Sequence, residues 1–244
     1  MRNILLRLQF VGTGFAGWQR QKNAVSIQLI IEAGLGKITR EDISATGCSR
    51  TDAGVHAEDF LVNFHTESTI PAAKFAPALQ SKLPKSILIK SSREVPASFN
   101  SRRNSYEKTY RYQIAPDRSP FYNDFWWQTD RTPDFAVLKQ CAAQILGEHD
   151  FSGFCVTRSL KEVNICTIKQ ATWKRTGKRL YFKITGDRFL HHMVRFLVGA
   201  QIQAACGEIS VEDVRKMVNQ PASHRAKYPA PPEGLYLEKV KFRL

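Results

Sequence analysis

The order in which strand-like and helix-like segments follow one another constrains the fold of this chain most strongly. Residues 3–10, "NILLRLQF", alternate apolar residues with others, which is typical of a half-buried strand, whereas "FAPALQSKL" repeats apolar residues every four positions, as a helix does. The order strand, helix, strand, helix, strand occurs twice, with a seam near residue 100. It predicts an α+β fold in which two similar α/β halves, residues 1–100 and 101–244, are joined through an extended, mainly antiparallel sheet.

Capping and turn signals indicate where several elements begin. Ser26 precedes an apolar helical stretch and is expected to cap it. The Thr-Pro pair at 132–133 indicates the start of another helix. Residues 166–186 have the pattern of a hairpin with its turn around "TG". The segment "RFLHHMVRFLVGAQIQAAC" predicts a strongly apolar helix that carries Arg195.

The charge of the chain indicates the class of partner. Lys and Arg number 36 against 22 Asp and Glu, which gives a net charge of +14. An excess this large favours a polyanion, and nucleic acid is the commonest polyanion in the cell interior. Acidic proteins and lipid surfaces are the alternatives. The cations are spread through patterned segments such as "SRRNSYEKTYRY" and "WKRTGKRLYFK", which favours a shaped basic groove over a disordered tail.

Cysteine usage and hydropathy bear on the compartment. The five cysteines are scattered and none forms a C-x-x-C pair, so neither a disulfide framework nor a zinc knuckle is expected. No apolar run approaches the roughly 18 residues that a membrane helix needs, and "MRNILLRLQF" lacks the features of a secretion signal. We therefore expect a cytoplasmic protein with reduced, mostly buried thiols and no membrane association.

Two segments concentrate groups able to carry charge, protons or stacking contacts. "GCSRTDAGVHA", residues 47–57, places Arg50, Asp52 and His56 in one glycine-bounded turn, although local rules alone favour a purely structural turn there. "SYEKTYRYQI", residues 105–114, puts tyrosines and Lys108 on one face of a strand. That face suits a surface that contacts bases and phosphates, while ordinary strand-forming tyrosines are the alternative.

A set of motifs links these segments to a known family. "GTGFAGWQRQ", "GCSRTDAGVHA", "NSYEKTYRY", "EHDFSGF", "RFLHHMVRFLVG" and "APPEGLYL" occur in this order along nearly the whole chain. The set resembles the tRNA pseudouridine synthase A family. The resemblance implies the pseudouridine synthase fold and isomerisation of uridine to pseudouridine in the anticodon stem-loop of tRNA. It also implies no cofactor and a homodimer that shares each tRNA between its subunits. No metal site is expected, because the sequence shows no cluster of residues at metal-ligand spacing.

The same resemblance implies roles for individual residues. By motif position, Asp52 is the catalytic aspartate, Tyr110 the tyrosine stacked on the target base, and Arg195 the basic partner of the aspartate. Arg50 is the arginine that helps to extrude the nucleotide. The residues that we assign to RNA binding are Arg50, His56, Lys108 and Arg102.

The chemistry of the reaction is compatible with these residue types, and alternatives stay open. A carboxylate must remain ionised in a partly dry pocket, and a nearby arginine lowers its pKa. Arg195 suits that role because an unpaired buried guanidinium is costly, but another acid is its alternative partner. His56 is expected to serve the turn or to contact RNA rather than to catalyse. Two rival functions are a non-catalytic RNA-binding module on the same fold and a metal-dependent nuclease using Asp52, His56 and Asp59.

Overall fold

The chain divides into two compact units in the computed structural model, which describes all 244 residues. The first unit combines Met1–Tyr106 with Tyr236–Leu244, and the second unit comprises Glu107–Leu235. These bounds differ in two places from the predicted halves, 1–100 and 101–244. The seam lies slightly later in the chain, and the last strand belongs to the first unit because it pairs there.

The secondary structure is mixed, with six helices and ten strands. The elements up to the seam are β1 (Arg2–Phe10), α1 (Ile27–Thr39), β2 (Ala45–Gly47), β3 (His56–Thr66), α2 (Phe75–Gln80), β4 (Ile87–Val95) and α3 (Ser101–Asn104). The remaining elements are β5 (Ser105–Ala115), β6 (Trp127–Gln128), α4 (Phe135–Gln144), β7 (Gly147–Asp150), β8 (Ile165–Thr176), β9 (Arg179–Gly186), α5 (Met193–Ala205), α6 (Val211–Asn219) and β10 (Leu235–Phe242). Most strand pairs are antiparallel, so the predicted mixed α/β class with a mainly antiparallel sheet is confirmed.

The first unit has its sheet built around β1. This strand lies between β4 and β3, antiparallel to both, and β10 adds to β3 in parallel with Tyr236 opposite His56. The period-two pattern of β1 is confirmed, since Ile4, together with Leu6 and Leu8 on the same face, is 0% exposed. Phe64, opposite Ile4 in the register, packs its ring at 5.4 Å from that of Phe75 in α2. The alternating apolar residues therefore form the core between the sheet and its helices.

The second unit has the strand order β5, β9, β8, β7, with every neighbouring pair antiparallel. Short β6 pairs in parallel with the end of β5. Trp173 of β8 donates its Nε1–H to Gln201 of α5 at 2.9 Å, and both residues are buried. Helix α5 thus covers the sheet face that carries Trp173 and its ring partner Phe182. None of the helices in the chain is both long and apolar enough to cross a bilayer.

The capping signals locate element ends with different success. Ser26 caps α1 as predicted, accepting from the Leu29 N–H at 3.3 Å. The helix expected from 132–133 begins at Phe135 instead, because the Asp134 carboxylate accepts from the first free N–H groups. The apolar helix starts at Met193 rather than at Arg188, since His192 takes a left-handed conformation with φ of 63°.

The cysteines are free thiols, and four of the five are buried. Burial raises the pKa of the Cys166 thiol to about 12 and that of the Cys141 thiol to about 11. Only the thiolate reacts with disulfide reagents. We expect a disulfide reagent at pH 8 to react with at most one thiol of the native protein, that of Cys206, and with all five thiols after denaturation. Rapid reaction of several thiols in the native protein would contradict this burial pattern.

Candidate active site

Asp52 lies between β2 and β3 at the first position of a tight turn. The Val55 N–H donates to the Asp52 carbonyl at 3.2 Å, and Gly54 has a φ of 79°, a conformation that suits glycine. The turn predicted from local sequence is confirmed. Asp52 is half-buried and Arg50 is exposed. The turn fixes the backbone of the residue that carries the candidate carboxylate.

The glycine-rich loop of residues 11–18 holds this turn from one side. The Trp18 N–H donates to the Thr51 carbonyl at 3.1 Å, and the Gly54 N–H donates to the Phe15 carbonyl at 3.3 Å. A Cβ on Gly17 would lie 2.4 Å from the Thr51 carbonyl oxygen, so the two backbones approach too closely for any other residue. Sequence patterns identified both segments but not this contact, because the two loops are distant in the chain.

His56 is buried at the start of β3. The residue is only 2% exposed, and its Nδ1 accepts from the Gly12 N–H at 3.0 Å. Its ring stacks on that of Tyr236 with 4.6 Å between the ring centroids. Because Nδ1 accepts, the neutral ring carries its proton on Nε2. Of the two roles expected for His56, these contacts support the structural one. Its assignment to RNA binding stays a prediction, which this burial does not favour.

Asp59, the third member of the rival nuclease site, is a buried carboxylate paired with Arg7, whose side chain is 43% exposed. Its two carboxylate oxygens accept from Arg7 at 2.6 Å and 2.8 Å, and Oδ2 also accepts from the Val240 N–H at 3.0 Å. Asp59 is 6% exposed. With Asp59 bound to Arg7 and the His56 Nδ1 bound to Gly12, two of the three proposed metal ligands already have partners within the protein. The geometry therefore disfavours the nuclease.

Arg50 and Arg102 lie close enough for their charges to interact. Burial lowers the pKa of Arg102 first, and the positive charge of Arg50 lowers it further. Both side chains are exposed. Two guanidinium groups held near one another repel unless an anion lies between them. Of the four residues assigned to RNA binding, these two have the exposure and the local charge for a phosphate contact.

Tyr110 lies on β5 in the second unit and is 6% exposed. The edge of its ring contacts Phe189 at 5.0 Å between centroids. Lys108, on the same face of the strand, is 9% exposed, and its assignment to RNA binding likewise stays a prediction that this burial does not favour. The face expected to meet bases and phosphates is therefore covered at Lys108 and Tyr110, whereas Tyr106 on the same face is 39% exposed. Phe189, which sequence reasoning did not single out, is the aromatic neighbour of Tyr110.

Tyr112 belongs to the core of the second unit. Its hydroxyl donates to the Pro231 carbonyl at 2.7 Å, and its ring packs on Gly234, where a Cβ would lie 2.8 Å from ring atoms. Burial, with a smaller contribution from the charge of Glu233, raises the pKa of this hydroxyl well above its ordinary value. Tyr112 is thus an ordinary buried strand residue that also anchors the "APPEG" segment.

Arg195 lies near the start of α5 and binds the same segment. Its Nε donates to the Ala230 carbonyl at 2.7 Å, and the Ala230 N–H donates to the Arg195 carbonyl at 2.9 Å. Burial raises the pKa of Glu233, while the charge of Arg195 lowers it. Glu233 is therefore the acid that the second unit itself places near Arg195, as the alternative expectation allowed. Sequence reasoning missed Glu233, although it lies within the motif "APPEGLYL".

The structure thus gathers the candidate residues in two groups. Arg50, Asp52, His56 and Arg102 belong to the first unit, and Lys108, Tyr110 and Arg195 belong to the second. The first unit contains Asp52, whose backbone is fixed by the turn, and the two exposed arginines Arg50 and Arg102. In the second, an arginine at a helix start lies near a carboxyl group, and a separate tyrosine packs against a phenylalanine.

Comparison with known proteins adds independent findings. The profile of the family described as tRNA pseudouridine synthase matches residues 8–102 and 141–243. A tRNA pseudouridine synthase A of Clostridium acetobutylicum is 38% identical over 244 residues, covering 99% of this chain and 100% of that protein. The corresponding protein of Acetivibrio thermocellus is 37% identical with the same coverage. That of Pelodictyon phaeoclathratiforme is 38% identical over 243 residues, again covering 99% and 100%.

Proposed function

The chain belongs to the tRNA pseudouridine synthase family, and from this premise we propose that it isomerises uridine to pseudouridine in the anticodon stem-loop of tRNA. The observation that carries the proposal is Asp52, held half-buried in a backbone-fixed turn within a chain that its relatives match over 99% of its length. The net charge of +14 supports a nucleic-acid substrate.

The reaction rearranges bonds without any net gain or loss of atoms. The bond from N1 of uracil to C1′ of ribose breaks, the base turns, and a bond from C5 to C1′ forms, while the C5 proton is exchanged for a proton at N1. A carboxylate that adds to the nucleoside or supports the detached base suffices for this sequence. We assign that role to Asp52, whose turn leaves the side chain half-buried rather than sealed.

Tyr110 and Arg195 take the roles that the family resemblance assigns to them. Extruding the target nucleotide costs a few kcal/mol, and stacking the base on the Tyr110 ring returns about 1–3 kcal/mol. Because Tyr110 is 6% exposed, the base has to displace side chains such as Phe189. Arg195 supports the ionised form of the catalytic carboxylate.

Phosphate binding is assigned to Arg50 and Arg102, the exposed arginines whose charges already interact in the first unit. A backbone phosphate between them would relieve their repulsion. We further propose that the protein acts on tRNA in the cytoplasm as a homodimer. The dimer proposal is tested by the mass of the protein in solution.

The function is tested by treating unmodified tRNA transcripts with the protein and mapping pseudouridine by carbodiimide labelling followed by primer extension. We expect new stops at uridines of the anticodon stem-loop, unchanged when a chelator is present. Bound tRNA without any stop would indicate the non-catalytic RNA-binding module. Cleaved tRNA, with cleavage abolished by the chelator, would indicate the nuclease.

A further inference from the structure

A cluster of aromatic and basic side chains lies at the β8–β9 turn of the second unit. We call it the Phe121 patch, and its members are Phe121, Tyr122, Trp126, Lys178 and Arg179. Phe121 is 85% exposed. The Arg179 guanidinium lies 5.2 Å from the Tyr122 ring centre and 5.1 Å from that of Trp126, and it donates to the Tyr122 hydroxyl at 2.6 Å. The Arg179 cation is therefore held by the rings of Tyr122 and Trp126, and Phe121, the residue before Tyr122, exposes a third ring.

The loop that presents Phe121 is ordered by its own hydrogen bonds. The Tyr122 N–H donates to the Ser119 carbonyl at 3.0 Å, and the Trp126 N–H donates to the Tyr122 carbonyl at 2.9 Å. The Gln128 side chain accepts from the Ser119 N–H. A ring displayed on a pre-ordered loop loses little conformational entropy when it binds. Phe125, 38% exposed, extends the apolar surface.

The charge around Phe121 decides which class of partner fits. Residues 117–126 and 174–179 contain five cations and two acids. The cations are Arg118, Lys174, Arg175, Lys178 and Arg179, and all are exposed. Arg175 does not belong to the patch, because its guanidinium lies 5.5 Å from the ring centre of Phe135 in α4, which leaves four cations against two acids. Two copies of this surface facing one another would bring like charges together. A polyanion with bases that stack on aromatic rings fits better, and single-stranded RNA has both properties.

The Phe121 patch lies well away from Tyr110 within the second unit. Tyr110 is opposite Ile184 in the register of β5 and β9, and Arg179 precedes Ile184 by five residues in β9. At a strand rise of ~3.3 Å per residue this is roughly 17 Å. An RNA contact at the patch is therefore separate from a base stacked on Tyr110.

We propose that the Phe121 patch is a second RNA-binding surface, at which an unpaired base stacks on Phe121 while cations of the β8–β9 turn bind neighbouring phosphates. Arg179 is fixed by its two rings, so its charge is positioned before RNA arrives. That the RNA is tRNA rests on the proposed function. The stacking contact does not, since any unpaired base has a face that can stack.

The test uses a fluorescent oligoadenylate, which contains no uridine to isomerise. Its dissociation constant is measured by anisotropy for the wild type, Phe121→Ala, Lys178→Ala and the control Val163→Ala. Val163 is 55% exposed and lies in the same unit, just before the other end of β8. We expect Phe121→Ala to weaken binding roughly tenfold and Lys178→Ala to lower the salt slope by about 0.7. Val163→Ala should match the wild type.

Two outcomes would overturn the proposal. Equal affinity of Phe121→Ala and the wild type overturns the stacking contact. If Phe121→Ala instead converts a larger assembly into a smaller one in sedimentation at unchanged affinity, the patch joins copies of the chain. Pseudouridine formation is measured separately on tRNA. If Phe121→Ala binds oligoadenylate as tightly as the wild type while the wild type forms pseudouridine, only the patch is overturned. If Phe121→Ala binds more weakly while the wild type forms no pseudouridine, only the proposed function is overturned.

Discussion

Asp52→Asn should lower the rate of pseudouridine formation at least roughly 10³-fold while tRNA affinity stays within about twofold. The amide has nearly the size of the carboxylate, so the turn closed by the Val55 N–H should persist. What is lost is the negative charge and the nucleophilic oxygen pair. The rate is measured as release of a tritium label from C5 of uridine under single-turnover conditions, and the affinity by filter binding.

A matched control separates this effect from a general change of charge. Asp42 is an exposed aspartate of the same unit, and Asp42→Asn alters the net charge by the same amount. It should retain the wild-type rate. Wild-type turnover by Asp52→Asn would remove Asp52 from the mechanism, and a parallel loss in both variants would point to RNA binding rather than to chemistry.

Gly17→Ala should destabilise the protein by about 2–4 kcal/mol more than Gly14→Ala does. Both glycines have a φ of 81°, so both substitutions carry the same backbone strain, on the order of 1 kcal/mol. They differ in their surroundings. A Cβ on Gly17 would meet the Thr51 carbonyl oxygen at 2.4 Å, whereas nothing lies within 4 Å of one on Gly14.

The same pair of variants connects stability with activity. Relieving the contact at Gly17 requires the backbone of Thr51 and Asp52 to move, and a displacement of ~1 Å at a reacting group can cost on the order of 10²-fold in rate. Gly14→Ala should therefore keep most of its activity and Gly17→Ala should lose it. Unfolding in urea measures the stability difference, and equal midpoints for the two variants would refute the close approach.

Local patterns predict well those features that depend on neighbouring residues. The alternation in β1, the cap at Ser26 and the turn that begins at Asp52 follow from residues a few positions apart, and all three are confirmed. The hairpin formed by β8 and β9 is likewise present, with its turn at Gly177 and Lys178 between the paired Thr176 and Arg179.

Features that depend on distant segments could not be predicted in the same way. The sequence placed Tyr110 and Lys108 on one strand face, but it could not show which segments cover that face. His56 looked available for RNA because the Gly12 N–H, which donates to its Nδ1, and its stacking partner Tyr236 are remote in sequence. The left-handed His192, which shortens the apolar helix, interrupts a pattern that reads as continuously helical.

The parallel pairing of β10 with β3 has a consequence for synthesis of the protein. The first unit includes Tyr236–Leu244, so β10 must leave the ribosome before it can pair with β3 and complete the sheet of this unit. Until then Asp59 lacks its partner at Val240, and His56 lacks the ring on which it stacks. The second unit, Glu107–Leu235, can therefore fold as soon as it has been synthesised, whereas Met1–Tyr106 must wait for the last strand.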